Sequence, residues 1–524
     1  MTNMQILDCT LRDGGYINNF DFGEKGIKEI INQLTNAGID IIETGFLQDE
    51  EYNINRSIYN TVEQIKHFLP TDHKKSMYVA MACYGEYSLD QLSDYDGTSI
   101  DGIRVTFHYP EVEPALEYCK QIMNKGYKVF VQPVGTSSYS DEKLLTLIKK
   151  VNGLHPYSFY LVDTLGLMHK DELLRFYYIM NHNLASTIHM GFHSHNNLQL
   201  SFSNSQALSS VEGNRVMSLD SSVYGMGRGA GNLNTELIAN YLNEHADKCY
   251  DLDPLLEIVD DYISKIKEKH EWGYAVPYYL AATNGCHPNY AIYLCSKNTL
   301  NVKSISTILH MIEPNKRSLF DKNLAEQKYI EFQSREIDDK KTIDLLKSKF
   351  VGRNILILAP GSSLSKNKEH IKKTASDNNC LIVSISFVPG FIKPDFVFMS
   401  NKKRYLTLGD DQYNNETLIH TSNINIEGDN LVVNYSDVIN EDDNITDNSS
   451  LMMLNLLCKL QPSKIYIAGM DGYIVDQDNY YNSKIAIKHD IEQTVVLNKS
   501  ISRRLVQLES QLNIEMITPS VYKQ

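Results

Sequence analysis

Long apolar runs are missing from this chain. The longest stretches, such as Ile355–Ala359, fall far short of the roughly 20 residues a membrane-spanning helix needs, which excludes a helical membrane protein. The N-terminus, Met1-Thr2-Asn3-Met4-Gln5, has no basic-then-apolar leader and runs almost at once into a strand-like segment. Export is therefore not expected, and a cytoplasmic location is. The Asn-x-Ser/Thr matches at Asn444 and Asn448 then read as a polar loop rather than as glycosylation sites. Cysteine is sparse: eight are scattered with no Cys-x-x-Cys pair, which argues against a zinc ribbon or a dithiol redox centre. These thiols read as reduced and mostly buried. Positive charge is in deficit, with 50 Lys+Arg against 65 Asp+Glu and a net charge of −15. That disfavours nucleic acid and anionic membranes as partners. It leaves room for a small anionic substrate held by a few local cations or a metal. No internal repeat is found.

What is present is ample for folding. A chain of 524 residues with 42% hydrophobic composition builds real cores and divides into two or three domains. Over the first 225 or so residues, short β-branched runs alternate with longer amphipathic stretches. The strands are expected at Gln5–Asp8, Asp40–Gly45, Met77–Cys83, Gly102–Phe107, Lys128–Pro133, Ser158–Asp163, Ile188–His193 and Met217–Ser222. Between them lie helical patterns such as Asp141–Val151 and Glu24–Ala37, the latter with Ile27, Ile30, Ile31 and Leu34 on one face and Gly38 as a C-cap. Eight such units predict a TIM (β/α)8 barrel rather than an open sheet. Leu237–Phe350 reads as a mostly helical, polar annex. From Val351 a second, Rossmann-like α/β unit is expected, with strands at Ile355–Ala359, Leu381–Phe387, Phe396–Met399 and Lys464–Ala468 and a helix at Lys366–Lys373. The expected domains are 1–300 (barrel), 301–350 (helical linker) and 351–524 (second α/β domain). Asn425–Ser450, acidic and Asn-rich, reads as a surface excursion.

The chemistry gathers at the expected C-terminal ends of the barrel strands, where active sites of this architecture lie. The first strand ends in Asp8-Cys9-Thr10-Leu11-Arg12-Asp13-Gly14-Gly15-Tyr16. It is either a surface Arg–Asp pair on a tight turn or the start of a site. The seventh ends in His193-Ser194-His195; side chains alternate along a strand, so both imidazoles point the same way. Such a pair is incidental in many strands, but Asp13 lies two strands away around a closed ring. A carboxylate and two imidazoles with open positions make a workable shell for Mn²⁺ or Mg²⁺. The eighth strand runs into Tyr224-Gly225-Met226-Gly227-Arg228-Gly229-Ala230-Gly231-Asn232. That loop is either a tight barrel turn or a backbone surface against a ligand.

Leu11-Arg12-Asp13-Gly14-Gly15, His193-x-His195 and the Gly225–Asn232 loop together resemble the DRE-TIM metallolyase superfamily, which includes 4-hydroxy-2-oxoacid aldolases, HMG-CoA lyase and isopropylmalate synthase. The resemblance spans roughly residues 4–295 and is closest to the 4-hydroxy-2-oxovalerate aldolase branch, which Val162-Asp163-Thr164 also resembles. The HMG-CoA lyases carry a catalytic Cys in the glycine loop, and none is present here. The resemblance implies Asp13, His193 and His195 as metal ligands. It implies Asn204 as a further ligand, against a helix-surface Asn. It implies Arg12 as the group that stabilises an enolate oxygen, and Gly14, Asp163, Gly227 and Gly229 as substrate-binding positions. The logic holds without the family, because retro-aldol cleavage of a 2-oxo acid leaves pyruvate enolate, whose charge needs cations. The aldolase branch has a His three residues after the motif Asp, proposed as the base; here it is Tyr16. Tyr16 then orients substrate, or a metal-bound water moves the proton, or the substrate differs. The family's acid Tyr corresponds to Tyr278 or Tyr290, and His287 is either a proton-transfer group or a capping side chain.

In the C-terminal unit, Pro360-Gly361-Ser362-Ser363-Leu364, Pro394-Asp395-Phe396-Val397-Phe398 with Asn401, and Ile467-Ala468-Gly469-Met470-Asp471-Gly472-Tyr473 resemble bacterial sialyltransferases and 6-hydroxymethylpterin-pyrophosphokinase-like proteins. The resemblance implies nucleotide binding by Gly361, Ser362, Ser363, Asp395, Asn401 and Asp471. The family's Gly-Asn-Gly-Pro-Ser loop is Ala-Pro-Gly-Ser-Ser here, and a plain strand-to-helix turn is the competing reading. Lys402, Lys403 and Arg404 either meet phosphates or are a solvated surface. The sequence as a whole predicts a divalent-metal aldolase or lyase acting on a 2-oxo acid and an aldehyde or sugar, tied by its fusion to bacterial surface-carbohydrate biosynthesis. The alternatives are a Claisen-type acyl-CoA/2-oxo acid synthase, a bifunctional protein whose C-terminal half transfers a nucleotide-linked sugar, and a non-catalytic barrel. A homo-oligomer is compatible with each.

Overall fold

The computed structural model describes residues 3–409, 413, 416–428, 430–475, 477–487 and 489–522. They fall into two compact units. One runs as far as Ala291 and adds Arg317–Leu319; the other holds Ile292–Lys316 and the chain from Phe320 onward.

The first unit is the expected barrel. Its strands are β1 (Asn3–Asp8), β2 (Ile41–Leu47), β3 (Met77–Cys83), β4 (Gly102–Phe107), β5 (Lys128–Pro133), β6 (Ser158–Asp163), β7 (His189–Ser194) and β8 (Val216–Ser221). All neighbours pair in parallel, and the ring closes through β1, which pairs with both β8 and β2. A two-residue strand, Ile58–Tyr59, adds to the outside of β2. The helix Glu24–Asn36 buries Ile27, Ile30, Ile31 and Leu34, the face its periodicity predicts. Gly38 follows it at φ +76°, a left-handed conformation glycine accepts without strain.

Period-two alternation builds the interior. Leu7, Ile41, Val79, Phe130 and Tyr160 form one apolar cluster, while their neighbours Ile6, Ile42, Ala80, Val129 and Phe159 pack in the main core with the helices. Two residues further along the same face, the barrel filling changes from hydrocarbon to charge: Glu43 follows Ile41 and Gln132 follows Phe130, both buried. This polar storey lies at the C-terminal strand ends and positions the site.

The second unit holds β9 (Asn354–Leu358), β10 (Leu381–Ile385), β11 (Phe396–Met399), β12 (Leu418–Thr421), β13 (Leu431–Val433), β14 (Lys464–Ala468) and β15 (Ile514–Met516) in one parallel sheet. Its order is β13-β12-β11-β10-β9-β14-β15, so the winding reverses between β9 and β14. The loop after β9 makes a short 3-10 turn, Ser362–Ser365, before the helix Lys368–Asp377. The helices Val302–His310, Lys322–Gln333 and Lys340–Phe350 belong to this unit. One expectation is corrected: Asn425–Ser450 is not a surface excursion. It contains β13, and Asn440, Ile445 and Thr446 are buried. Asp447 accepts hydrogen bonds from Tyr329 and Tyr435, so the acidic side chain is spent inside the fold. No helix among the described residues is long and apolar enough to cross a membrane.

Candidate active site

The Arg12-Asp13 motif is shaped by its own backbone. The amides of Arg12 and Asp13 both point at the Cys9 carbonyl, at 3.1 and 2.8 Å. Asp8 fixes the turn by accepting from the Thr10 amide at 2.9 Å, and the Thr10 hydroxyl accepts from the Val223 amide at 2.8 Å. The turn thus faces inward, with Arg12 and Asp13 buried. The surface-pair reading falls.

Asp13, His193 and His195 converge. One ligand atom from each lies within 4.8 Å of the others. The His193 Nδ1 pairs with Asp220 Oδ2 at 2.9 Å, which fixes the ring and leaves Nε2 for a cation, the usual carboxylate–histidine arrangement behind a metal ligand. His195 is held neutral: burial pushes its pKa down to about 3, with His193, Arg228 and Arg12 adding to that and Asp13 opposing it. Burial alone would raise Asp13, but Arg12, then His195, His193 and Arg228, hold its carboxyl well below the usual range.

A charge lattice backs this group. Arg12 donates from Nε to Glu43 Oε2 at 2.8 Å and from a terminal nitrogen to Asp13 Oδ1 at 2.6 Å. Arg104, wholly buried, lies 2.7 Å from the same Glu43 oxygen, donates to Asp220, and stacks 5.0 Å from the Tyr160 ring centroid. Two guanidiniums therefore face three carboxylates, with one negative charge in excess. The donor set, the neutral His195 imidazole and this excess fit a hard divalent cation. Two buried oxygens, Asn232 Oδ1 and Asp220 Oδ1, also lack a hydrogen-bond donor.

Sequence reasoning missed Glu43, Arg104 and Asp220, although each interrupts an apolar strand with a charge, as in Gly102-Ile103-Arg104-Val105. It also singled out Asn204 and not Asn232. Asn204 is buried, but its amide donates to the Met168 carbonyl at 2.7 Å, so it braces a helix against the loop after β6. Asn232 is the asparagine at the site, donating to Asp13 Oδ2 at 2.6 Å. Asp163 is a second correction: its carboxylate accepts from the Leu167 and Met168 amides at 3.1 and 2.9 Å, closing its own loop rather than facing substrate. Burial raises its pKa to about 6 against those bonds.

The glycines serve close packing. A Cβ on Gly227 would stand 2.3 Å from Asn232 Nδ2 and 3.0 Å from Asp13 Oδ2; one on Gly14 would meet Met226 at 3.1 Å; Gly229, at φ +69°, would meet Asn197 Oδ1 at 2.9 Å. Tyr16 lies at the mouth, 39% exposed, against Phe20, with the Arg228 guanidinium 4.1 Å from its ring centroid. Burial raises its phenol above the ordinary value even with Arg228 and Arg12 nearby, which disqualifies it as a base at neutral pH. Tyr290 is fully buried and donates its hydroxyl to the Leu319 carbonyl at 3.0 Å. Tyr278 is the tyrosine that borders the glycine loop, 3.5 Å from where a Gly229 Cβ would stand. His287 accepts at Nδ1 from the Asn289 amide. Burial, then Arg228, pushes its pKa down to about 4, so it is a neutral imidazole within reach of the charge at the mouth.

In the second unit a cavity of about 780 Å³ opens beyond β9 and β14, lined by Gly361, Asn401, Arg404, Asp471, Tyr473 and Tyr480 among others. Asp471 accepts from the Ser363 amide at 2.7 Å and from its hydroxyl, so the chain's own carboxylate occupies the donors that a phosphate would take there. Ser362 neighbours this bond and does not line the cavity. Asp395 stands at the start of β11, bonded to the Ile382 amide at 2.8 Å, at the opposite strand end from the cavity. Asn401 caps the helix Lys402–Leu408 by accepting from the Arg404 amide.

Fold and site together define a TIM barrel with an Asp/His/His metal-ligand group at its C-terminal face. Residues 3–261 match the HMGL-like family model and form an HMGL-like domain. Oxaloacetate decarboxylase of Mycobacterium tuberculosis is 26% identical over 268 residues, covering 48% of this chain and 74% of that protein. 4-Hydroxy-2-oxovalerate aldolase 2 of Comamonas testosteroni is 25% identical over 236 residues, 44% of this chain and 66% of that protein. The crystallised N-terminal domain of a candidate aldolase from Bacteroides vulgatus aligns at 26% identity with a TM-score of 0.49, covering 56% of this chain and 96% of that one.

Proposed function

We propose that the barrel is a divalent-metal-dependent aldolase or lyase that makes or breaks a carbon–carbon bond through pyruvate enolate. The convergence of Asp13, His193 and His195 on a buried lattice one charge short of neutrality carries this reading. Bound there, Mn²⁺ or Mg²⁺ would supply positive charge to the carboxylate and keto oxygens of a 2-oxo acid. Arg12 holds one terminal guanidinium nitrogen outside its bonds to Glu43 and Asp13, and on this reading that nitrogen meets the enolate oxygen. In the cleavage direction the C4 hydroxyl gives up its proton to a base and the C3–C4 bond breaks. The aldehyde departs, and the electron pair stays on the pyruvate fragment until C3 takes a proton. His287, neutral at the mouth, is the residue we assign to the proton. Small 2-oxo acid and aldehyde substrates fit a cytoplasmic enzyme.

The test is pyruvate methyl deuterium exchange with Mn²⁺, with and without an aldehyde. Exchange in the wild type, its loss in Asp13→Ala, and a fall of about 10²–10³-fold in Arg12→Ala are expected. No metal-dependent exchange by the wild type under either condition would overturn the reading.

The cavity in the second unit favours a companion reading: it binds a nucleotide-type ligand. In open parallel sheets ligands lie beyond the C-terminal strand ends where the order reverses, and β9 and β14 flank that point. Gly361, Asn401, Arg404 and Asp471 line the cavity, and on this reading they contact the ligand. Its fusion to the barrel is the ground for a role in surface-carbohydrate assembly. Titration of the full chain with CMP, CDP, UDP and GDP compounds tests it, and no binding by any would sink it.

A further inference from the structure

Arg228 differs from the other arginines near the site. Arg12 and Arg104 are buried and spent on carboxylates. Arg228 is exposed; its carbonyl accepts from the Gly231 amide at 3.1 Å, and among the described residues its side chain has neither a hydrogen bond nor an ion pair. The guanidinium carbon lies over the Tyr16 ring, 4.1 Å from its centroid. The preceding residue, Gly227, lies so close to the metal-ligand group that a Cβ there would stand 3.0 Å from Asp13 Oδ2. On the other side, the Gly273 amide donates to the Gly229 carbonyl at 3.3 Å, and Trp272 Nε1 donates to the Tyr224 carbonyl at 3.1 Å. The loop is thus pinned, and a cation is held over the barrel mouth in a chain whose net charge is −15. Its field reaches Asp13, His195, Tyr16 and His287.

We propose that Arg228, held over the Tyr16 ring, binds an anionic group, a carboxylate or a phosphate, on the aldehyde that meets the pyruvate enolate. This rests on the aldolase reading above. A planar guanidinium pairs with either anion through two parallel hydrogen bonds, and an aromatic plate fixes its plane at little entropic cost. The aldehyde carbon must sit against the enolate next to the metal ligands, so its remaining substituents extend toward the mouth, where this cation stands. Tyr16 is then a positioning residue, and its substitution for a base is explained by what it carries.

The experiment uses the full chain with Mn²⁺ and pyruvate and compares kcat/KM for glyoxylate (carboxylate), glycolaldehyde phosphate (phosphate) and glycolaldehyde (neutral). The wild type is expected to prefer one anionic aldehyde over the neutral one by roughly 10- to 100-fold, and which one identifies the group. Arg228→Gln brings that ratio near one, Arg228→Lys keeps part of it, Tyr16→Phe keeps it, and Tyr16→Leu erodes it through KM. A wild type without anionic preference, or an Arg228→Gln variant that slows charged and neutral aldehydes alike, overturns the proposal. Absence of metal-dependent pyruvate exchange would instead overturn the aldolase reading, and this proposal with it.

Discussion

Replacing Arg104 by methionine would probe the charge lattice directly. The guanidinium is wholly buried, sits 2.7 Å from Glu43, donates to Asp220 and stacks on Tyr160. Removing one partner of a buried pair costs about 3–5 kcal/mol, because the surviving charge stays out of water. Each carboxylate keeps a second partner here: Arg12 Nε at 2.8 Å from Glu43, and His193 Nδ1 at 2.9 Å from Asp220. The expected loss in Arg104→Met is therefore near the lower end, about 3 kcal/mol. The chain has a single tryptophan, Trp272, and it is buried in the barrel unit. Its fluorescence during urea unfolding follows that unit alone, whatever the second unit does. Adding Asp220→Asn to Arg104→Met removes the stranded charge and is expected to return about 1 kcal/mol or more. A single-variant loss below about 1 kcal/mol, or a double variant no better than the sum of the singles, would refute the lattice argument.

Three further outcomes follow from the same geometry. Gly227→Ala pushes a methyl group into Asn232 and toward Asp13, so Mn²⁺ affinity by calorimetry should fall about 10- to 100-fold; unchanged affinity would mean the loop shifts freely. Asn204→Ala takes a buried donor from the Met168 carbonyl and should cost about 1–3 kcal/mol of barrel stability while Mn²⁺ binding stays within twofold, which a true ligand would not allow. Burial raises Asp8 to about 6, against its bonds to Thr235 and Thr10, so between its unfolded value near 3.8 and 6 the native state holds a proton that the unfolded chain has lost. Stability from this group is full below the unfolded value and is lost as pH rises through the folded one. Asp8→Asn should reduce the fall in urea midpoint between pH 4 and 7, and an unaltered slope would contradict the assignment.

The barrel was legible because each strand is a β-branched run and each helix shows its stripe. Met77–Cys83, Gly102–Phe107, Lys128–Pro133 and Ser158–Asp163 match to the residue. Asp13 and the two histidines were readable because strand alternation and barrel closure are geometric rules that need only spacing. What spacing cannot convey is which of several candidates a loop delivers. Asn204 and Asn232 are both asparagines following site strands, and only the hydrogen bonds to Met168 and Asp13 tell them apart. The family resemblance of Val162-Asp163-Thr164 implied a substrate-facing carboxylate, yet two loop amides bond Asp163. In the second unit β12, β13 and β15 escaped notice because runs such as Leu431–Val433 and Ile514–Met516 are too short for periodicity to register.

The lattice at the strand ends also carries a consequence for the order in which the protein comes into being. Asp13 is bonded to Asn232, and Arg104 to Asp220, so contacts at the centre of the barrel join residues from opposite ends of the domain's sequence. A nascent chain that has delivered β1 through β6 holds Arg12, Asp13, Glu43 and Arg104, two cations and two carboxylates, without Asp220 to supply the negative excess and without the histidines that complete the ligand set. Long-range closure of this kind is slow relative to local helix formation. Metal capture then belongs to the last step of synthesis of this domain, when β8 docks on β1, and a ribosome paused before Val216 would carry a polypeptide unable to retain the ion.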